Sequence, residues 1–307
     1  NAGGDAIVSA RGVKTWRQTR NDTEALAHKL IGAGVGRGDR VCLLGANSGR
    51  YIEALFAIAR IGAIAAPLNT RLTLEEIAGQ IADAEPTLLL TDEAFAGQAR
   101  ALRSQGLAPA LFGLEAPIDD VAAIASVQDG APPALGGADE TGCLLYTGGT
   151  TGRPKGVMHS SDTLVMNVFQ SANILGDPLN MRFVHVAPLF HIGAIAYAVA
   201  VALQAGAHIP LPACDPAAVL NAISAHRATH VTLVPTMISR VLDAMPGANA
   251  DLASLRRIIY GASPIPEALL TRAIESLPHV QFGQSYGQTE TITITVLPAE
   301  RHVANGP

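Results

Sequence analysis

The sequence of 307 residues has few charged and few aromatic side chains. Charged residues make up 15% of the chain and hydrophobic residues 49%, which excludes the high-charge, low-hydropathy balance of a disordered chain. Lysine and arginine number 21 against 26 aspartate and glutamate residues, so the net charge is −5. Basic pairs such as Arg256-Arg257 stand alone and form no patch. The composition predicts a folded globular protein that does not bind nucleic acid.

Cysteine is also scarce, with three residues far apart in the chain, Cys42, Cys143 and Cys214. Three thiols cannot all pair with one another, and their spacing is not that of metal ligands. We therefore predict buried free thiols and a reducing compartment, which corresponds to a cytoplasmic protein.

Long hydrophobic runs are absent too. No basic segment followed by an apolar run stands at the visible N-terminus, so no signal peptide is predicted. The longest stretch without a charged residue runs from Phe183 to Cys214, but Pro188, Pro210 and Pro212 interrupt it. Its clean apolar part is shorter than the ~20 residues that a membrane-spanning helix requires. We expect no transmembrane segment and interpret this stretch as a strand, a helix and a strand of an α/β core.

Short β-rich runs alternate with longer amphipathic runs along the chain, which is the pattern of strands joined by crossover helices. This pattern predicts an α/β fold with two similar α/β subdomains, each a mainly parallel sheet flanked by helices. The Pro/Gly-rich stretch "APPALGGA" at 131–138 indicates a boundary. We expect one subdomain over residues 1–135 and a second over 136–307.

Start signals mark several of the elements. Thr73 precedes "LEE" as a predicted N-cap, and Asp215 caps a second helix with Pro216 at its first position. The predicted helices include 50–61, 73–84 and 215–227. The predicted strands are 40–47, 63–68, 87–91, 143–147, 183–187, 207–211, 230–234, 256–261 and 280–287.

The most informative segment is "YTGGTTGRPKG" at 146–156. Its glycines remove the Cβ atoms that would keep backbone N–H groups away from an anion. Its threonines add hydroxyl donors, and its lysine adds a mobile positive charge for phosphate oxygens. The residues of this predicted phosphate cradle are Thr147, Gly148, Gly149, Thr150, Thr151, Gly152 and Lys155. The alternative is a surface turn without a ligand.

This loop is not a Walker P-loop, because Lys155 is followed by Gly156 and "VMHS" where that motif has Ser or Thr at the start of a helix. The string "YTGGTTGRPKGV" instead resembles the phosphate-binding signature of the AMP-forming adenylating enzymes. This superfamily contains acyl- and aryl-CoA synthetases, the adenylation domains of peptide synthetases and firefly luciferase. The family usually has Ser where this chain has Gly148, so one hydroxyl is missing.

Three further motifs follow in the order and spacing of that family: "PLFHIGA" at 188–194, "GASPIPE" at 261–267 and "QSYGQTE" at 284–290. The resemblance covers essentially the whole chain. It implies the fold of the large N-terminal, substrate-binding domain of an acyl-CoA synthetase. It also implies a mobile C-terminal domain that lies beyond the last residue of this chain.

The motif "QSYGQTE" follows a predicted strand, and ligands of open α/β sheets sit at the carboxyl ends of strands. Tyr286 offers a flat face for a purine, Thr289 a hydroxyl for the α-phosphate and Glu290 an oxygen ligand for Mg²⁺. The resemblance implies the same three roles. A solvated surface acid is the alternative for Glu290.

The motif "YGASP" has small residues that would let an adenine and an acyl group lie against bare backbone. The resemblance implies that Gly261 and Ala262 border the adenine and the acyl carbonyl. A plain turn before a helix is compatible with the same residues. The predicted nucleotide-binding residues in this half are Gly261, Ala262, Ser263, Tyr286, Gly287 and Thr289.

His191 distinguishes branches of the superfamily. Amino-acid-activating relatives have an Asp at the matching place for the substrate ammonium, whereas CoA ligases commonly have a His that lines the acyl and thiol channel. His191 therefore argues against an amino acid, whose buried ammonium would find no carboxylate. The alternative is a core histidine with satisfied hydrogen bonds. The neighbouring apolar residues favour an apolar acid, fatty or aromatic; they are Ile192, Ile195, Ala196 and Tyr197.

The resemblance thus implies an ATP- and Mg²⁺-dependent acyl-CoA ligase of fatty acid or aromatic acid metabolism, with coenzyme A as co-substrate. The predicted catalytic residues are Lys155, His191, Thr289 and Glu290, with Glu290 as the metal ligand. We expect this chain alone to bind nucleotide and acid but to adenylate poorly. Two alternatives stay open, an adenylating domain that loads a carrier protein and a non-catalytic nucleotide-binding module. The oligomeric state is open as well, a homodimer included.

Overall fold

The computed structural model describes residues 2–130, 135–148, 154–176 and 180–302. The chain divides into two compact units. The six-stranded unit, named after its sheet, comprises Arg17–Leu164 and Leu189–Ile192. The eight-stranded unit comprises Asn1–Trp16, Val165–Pro188 and Gly193–Pro307.

The strands and helices of the described residues follow the predicted α/β alternation. The strands are β1 (Asp5–Ser9), β2 (Gly12–Thr15), β3 (Arg40–Leu44), β4 (Ile64–Pro67), β5 (Leu88–Thr91), β6 (Leu111–Gly113), β7 (Thr141–Thr147), β8 (Lys155–Ser160), β9 (Arg182–His185), β10 (Ala207–Pro210), β11 (His230–Leu233), β12 (Arg257–Gly261), β13 (Gln281–Tyr286) and β14 (Thr295–Leu297). The helices are α1 (Trp16–Gly32), α2 (Gly49–Arg60), α3 (Leu74–Ala84), α4 (Ala96–Ser104), α5 (Ser161–Gln170), α6 (Ile192–Leu203), α7 (Pro216–His226), α8 (Pro235–Ala244) and α9 (Glu267–Ser276).

The sheet of the six-stranded unit has the order β6-β5-β3-β4-β7-β8. All of its pairings are parallel except β7 with β8, which form an antiparallel hairpin at one edge. Cys42 on β3 pairs with Ala66 on one side and Leu89 on the other, and all three are inaccessible to solvent. Such continuous burial is what a parallel sheet covered on both faces requires.

The sheet of the eight-stranded unit has the order β14-β13-β12-β11-β9-β10-β1-β2. Its interior pairings are parallel, and only the edge strands β14 and β2 run antiparallel to their neighbours. Val184, Val231 and Ile258 lie side by side on three central strands and belong to one buried apolar cluster. The prediction of mainly parallel sheets flanked by helices is confirmed.

The helix starts also agree with the sequence signals. Thr73 and Glu76 form the complete capping box of α3, and Asp215 caps α7 by accepting a hydrogen bond from the Ala218 N–H at 2.8 Å. The stretch from Phe183 to Cys214 is a strand, a helix and a strand, as predicted. Within the described part of the chain, no helix is both long and apolar enough to cross a membrane.

The division into units differs from the predicted boundary between residues 135 and 136. The hairpin β7–β8, which lies after that point, completes the sheet of the six-stranded unit through the β4–β7 pairing. At the other end, β1 and β2 join the eight-stranded sheet because β1 pairs with β10. Strand pairing between distant segments, and not the Pro/Gly-rich stretch, decides where the units separate.

The three cysteines are unpaired, as predicted. Cys42 and Cys143 are buried, and desolvation raises the pKa of each thiol to about 12. Cys214 is only partly buried. Thiols held neutral in this way are inert packing groups of the sheet.

A row of aromatic and histidine rings crosses the middle of the eight-stranded sheet. Phe183 is the register partner of both His208 and His230 on the neighbouring strands. Nε2 of His185 lies 3.0 Å from Nδ1 of His208. Burial lowers the pKa of His185 to about 3, and that of His208 well below its ordinary value. These histidines are strand residues, as predicted, and no group of metal-ligand side chains is found among the described residues.

The paired histidines predict a stability that depends on pH. Both pKa values are lower in the folded protein than the ordinary 6.5, so the unfolded chain takes up protons that the folded chain excludes. The free energy of unfolding should therefore fall as the pH drops from 6.5 towards about 3, by up to about 1.4 kcal/mol per pH unit for each histidine. Urea unfolding on either side of pH 6.5 measures this slope.

The matched variant replaces both rings by apolar residues, His185→Phe with His208→Leu. Its slope between neutral and mildly acidic pH should be flatter than that of the wild type, because neither group titrates. Equal slopes in the two proteins would contradict the assignment. A constant urea m-value across the series is the control that the shift reports stability.

Candidate functional site

The predicted phosphate cradle connects β7 and β8 in the six-stranded unit. Thr147, the last residue of β7, is paired in register with Lys155, the first residue of β8. The Thr147 hydroxyl lies 3.5 Å from the Lys155 carbonyl oxygen. Lys155 begins a strand and not a helix, which confirms that this loop is not a Walker P-loop. Gly149, Thr150, Thr151 and Gly152 lie outside the described residues.

The two ends of this loop are open to a ligand. Lys155 and Gly148 are both exposed, and no atom of the described residues lies within 4 Å of where a Cβ of residue 148 would stand. Thr147 ends β7, which runs parallel to its neighbour β4 and to β3 and β5 beyond it, so these four strands finish at the same, carboxyl-terminal edge of the sheet. This is the edge at which open α/β sheets bind ligands.

His191 belongs to the same unit, in the short segment Leu189–Ile192. The buried Asn47, which follows β3, accepts a hydrogen bond from the Leu189 N–H through Oδ1 at 2.8 Å. The His191 ring stands 4.5 Å from the ring centre of Phe190 and keeps more than a third of its surface accessible. Partial desolvation, and secondarily the charge of Arg71, lower the pKa of His191. The ring is therefore neutral near pH 7.

In the eight-stranded unit the two remaining motifs lie side by side. Gly261 ends β12 and pairs in register with Ser285 near the end of β13. A Cβ at position 261 would overlap the Ser285 carbonyl oxygen, so only glycine fits there. Ala262 follows with a φ of 64°, an uncommon conformation for a residue with a Cβ, and Ala262 and Ser263 are exposed.

Tyr286 ends β13 with 64% of its surface exposed. The turn that follows is tight, because a Cβ at Gly287 would overlap the Ile292 carbonyl oxygen. Ile292 has a φ of 61°, which is strained for a β-branched residue by about 1–3 kcal/mol. Glu290 is exposed in this turn and Thr289 is half-buried. Strain of this kind persists only where the surroundings impose it.

The predicted site residues thus divide between the units. The structure brings Gly261–Ser263 and Ser285–Gly287 together at the carboxyl ends of adjacent strands, with Thr289 and Glu290 in the turn that follows. Thr147, Gly148 and Lys155 stand together at the end of β7 in the other unit.

The residues present fit a magnesium ion that is shared between one carboxylate and the phosphates of a nucleotide. No cluster of three or more carboxylate, histidine or cysteine side chains exists among the described residues. Mg²⁺ in nucleotide sites is usually held by one or two carboxylates together with phosphate oxygens and water. The single exposed carboxylate of Glu290 meets that requirement. The role of Glu290 stays a prediction.

The apolar residues after His191 are buried on α6. Ile192, Ile195 and Ala196 expose 8% or less of their surface. The Tyr197 ring stacks on Phe183 with ring centres 5.4 Å apart, and its hydroxyl is hydrogen-bonded to Ser285. Burial raises the pKa of Tyr197 to about 12. Tyr197 therefore contacts β13 at Ser285, the residue before the exposed Tyr286.

Two buried amides were missed by the sequence interpretation. Asn47 holds the segment that carries His191, and Asn167 on α5 holds the turn that carries Glu290. Asn47 has a local signal, since it is a polar residue directly after a buried strand. Asn167 has no local signal, because the residue that it contacts, Thr293, is 126 positions away.

The fold and the strand-end motifs define the class of this chain, an α/β protein with motif residues at the carboxyl ends of parallel strands. A family model described as "AMP-binding enzyme" matches residues 2–307. The chain therefore belongs to the AMP-binding enzyme family, which confirms the resemblance inferred from its motifs.

Individual relatives agree with this assignment. The chain is 35% identical over 295 residues to a feruloyl-CoA synthase of Amycolatopsis sp, which covers 94% of this chain and 57% of the relative. It is 32% identical over 291 residues to a long-chain-fatty-acid–CoA ligase of Thermus thermophilus, which covers 91% of this chain and 53% of the relative. The solved structure of an amide bond synthetase from Marinactinospora thermotolerans superposes with a TM-score of 0.87 at 29% identity, covering 98% of this chain and 60% of that one. The chain thus spans little more than half the length of these relatives.

The close approach of β12 and β13 predicts that a methyl group at position 261 destabilises the protein. Gly261→Ala should lower the free energy of unfolding by about 1–3 kcal/mol, because the new Cβ must push the Ser285 carbonyl away. Gly148→Ala is the matched control, since its Cβ meets no atom within 4 Å in the part of the chain that the structure describes. Thermal and urea unfolding measure both variants. A Gly261→Ala protein as stable as Gly148→Ala would contradict the described packing.

Proposed function

We propose that this chain is the acid- and nucleotide-binding part of an ATP-dependent acyl-CoA ligase. In the first half-reaction a carboxylate oxygen of the acid attacks the α-phosphorus of ATP, an acyl-AMP anhydride forms and pyrophosphate leaves. In the second, the thiol of coenzyme A attacks the acyl carbonyl, a thioester forms and AMP leaves. Adenylation by this route requires no protein nucleophile.

The observation that carries the proposal is the pairing of Gly261 with Ser285 at the ends of β12 and β13. It brings the exposed small residues Ala262 and Ser263, which follow β12, next to the end of β13, where the exposed ring of Tyr286 stands. A flat heterocycle such as adenine is the ligand class that fits small residues beside an aromatic face. The family match supports this ligand independently.

The residues of the chain would act mainly through charge and position, as phosphoryl chemistry demands. Lys155 and the backbone amides of its loop would neutralise the phosphates of the leaving pyrophosphate. Thr289 would donate its hydroxyl to the α-phosphate. Glu290 would hold Mg²⁺, which supplies a further positive charge to the phosphate oxygens when bound. The neutral His191 would line the acyl and thiol channel without repelling an apolar acid.

We propose an apolar acid as substrate, because His191 offers no carboxylate that could pair with the buried ammonium group of an amino acid. Aromatic and fatty acids both satisfy that requirement, and relatives of both kinds exist. Because one structural relative is an amide bond synthetase, an amine is the acyl acceptor that competes with coenzyme A in this proposal. A cytoplasmic location and a homodimer stay predictions.

The direct test uses the natural-length protein that contains this chain, with ATP, Mg²⁺ and a panel of aromatic and fatty acids. We expect acid-dependent release of pyrophosphate, and a thioester when coenzyme A is present. If the acyl-AMP reacts only with amines, the acyl acceptor is an amine and not coenzyme A. Measurable ATP binding without pyrophosphate release from any acid would favour a binding module and overturn the enzyme assignment.

Charge removal at the proposed phosphate site gives a second test. Lys155→Ala and Glu290→Gln should each lower kcat/KM for adenylation by about 10²-fold, because the first removes a positive charge next to the phosphates and the second removes the carboxylate that would hold Mg²⁺. Glu290→Gln should also weaken activation by Mg²⁺. Arg240→Ala and Glu275→Gln are the matched controls, since both residues are exposed on helices of the same chain. Losses of equal size in the controls would refute the specific roles.

A further inference from the structure

The turn that carries Thr289 and Glu290 is held at both of its ends. At the first end, β13 is locked against β12 by the Gly261–Ser285 pairing. At the other end, the Ile294 N–H donates to the Tyr286 carbonyl oxygen at 2.8 Å, where β14 begins. Between them, the N–H groups of Thr291 and Ile292 donate to the Gln288 carbonyl oxygen. These bonds close the turn but leave the carbonyl groups of Thr291 and Thr293 to be satisfied elsewhere.

Asn167 supplies those missing partners from helix α5. Its Nδ2 donates to the Thr293 carbonyl oxygen at 2.9 Å and lies 3.5 Å from that of Thr291. Its Oδ1 accepts from the Thr293 N–H at 3.3 Å. The side chain is 8% exposed. The amide therefore bonds Thr293 as a neighbouring strand would, with one donor and one acceptor. A carboxylate or a hydroxyl cannot supply both in the same geometry.

The turn needs such a partner because it is strained. Ile292, directly before Thr293, has a φ of 61° with a branched side chain, and only glycine fits at position 287 opposite its carbonyl. A backbone of this kind relaxes unless contacts on its flanks prevent it. The Ser285 and Thr293 hydroxyls, 3.4 Å apart, add only a weak contact. Asn167 thus supports the turn from α5 through three contacts with its backbone.

We propose that Asn167 is a positioning residue for the magnesium-binding turn. It touches neither nucleotide nor metal in this proposal, and it acts by fixing the backbone from which Glu290 projects. The inference rests on the proposed function, because Glu290 is assigned to Mg²⁺ there. Loss of the amide would let the turn relax and displace the carboxylate, with little effect on the proposed nucleotide surface at Ala262, Ser263 and Tyr286.

The experiment compares Asn167→Ala, Asn167→Asp and Gln170→Ala in the natural-length protein. Asn167→Asp keeps the acceptor for the Thr293 N–H but loses both donors, and Gln170 is an exposed residue of the same helix. The first readout is the Mg²⁺ concentration that half-activates pyrophosphate release. We expect an increase of about tenfold or more for both Asn167 variants and none for Gln170→Ala. ATP binding measured without Mg²⁺ should change less than about twofold.

A purely structural role would lower the unfolding temperature and kcat while leaving the Mg²⁺ requirement unchanged, and that result would overturn the proposal. If Asn167→Ala fails to fold, the isosteric Asn167→Asp carries the same comparison.

The second readout is hydrogen exchange of the amides of Thr293 and Ile294, which needs no activity. Faster exchange there in both Asn167 variants, with β12 unchanged, supports the proposed anchoring; wild-type exchange overturns it. Failure of the wild type to release pyrophosphate would overturn the proposed function alone, and the exchange readout would still decide whether Asn167 holds the turn.

Discussion

Parallel pairing of strands is the constraint on which the rest of the molecule depends. In each unit it forces the carboxyl ends of several strands to one edge of a sheet, and the motif residues stand at that edge. The pairing of Gly261 with Ser285 is the sharpest instance, because the two backbones approach so closely that no side chain fits between them. That register brings the exposed residues after β12 and the exposed ring of Tyr286 to the same end of the sheet.

Burial then determines which groups near these edges carry charge. Desolvation keeps the thiols of Cys42 and Cys143 and the imidazoles of His185 and His208 neutral, so the interiors of the sheets contribute packing and not chemistry. Lys155, by contrast, is exposed at the start of β8.

Two buried asparagines perform the same task in the two units. Asn47 binds the Leu189 N–H and thereby holds the segment of His191, while Asn167 binds both backbone groups of Thr293. In each case a side-chain amide makes the hydrogen bonds that a neighbouring strand would otherwise make with an irregular backbone segment close to the candidate site residues. Such segments cannot be held by the regular sheet, because their own hydrogen-bonding groups do not point along it.

The sequence by itself determined what depends on near neighbours. The capping box of Thr73, the Asp215-Pro216 helix start, the strand, helix and strand between Phe183 and Cys214 and the four motifs are all readable within a dozen residues. The tertiary structure alone decided what depends on distant partners. The pairing of β1 with β10, the addition of β7 and β8 to the first sheet and the contact of Asn167 with Thr293 join segments far apart in the chain. Local propensity carries no information about such pairings, because their energy arises only when the chain has folded.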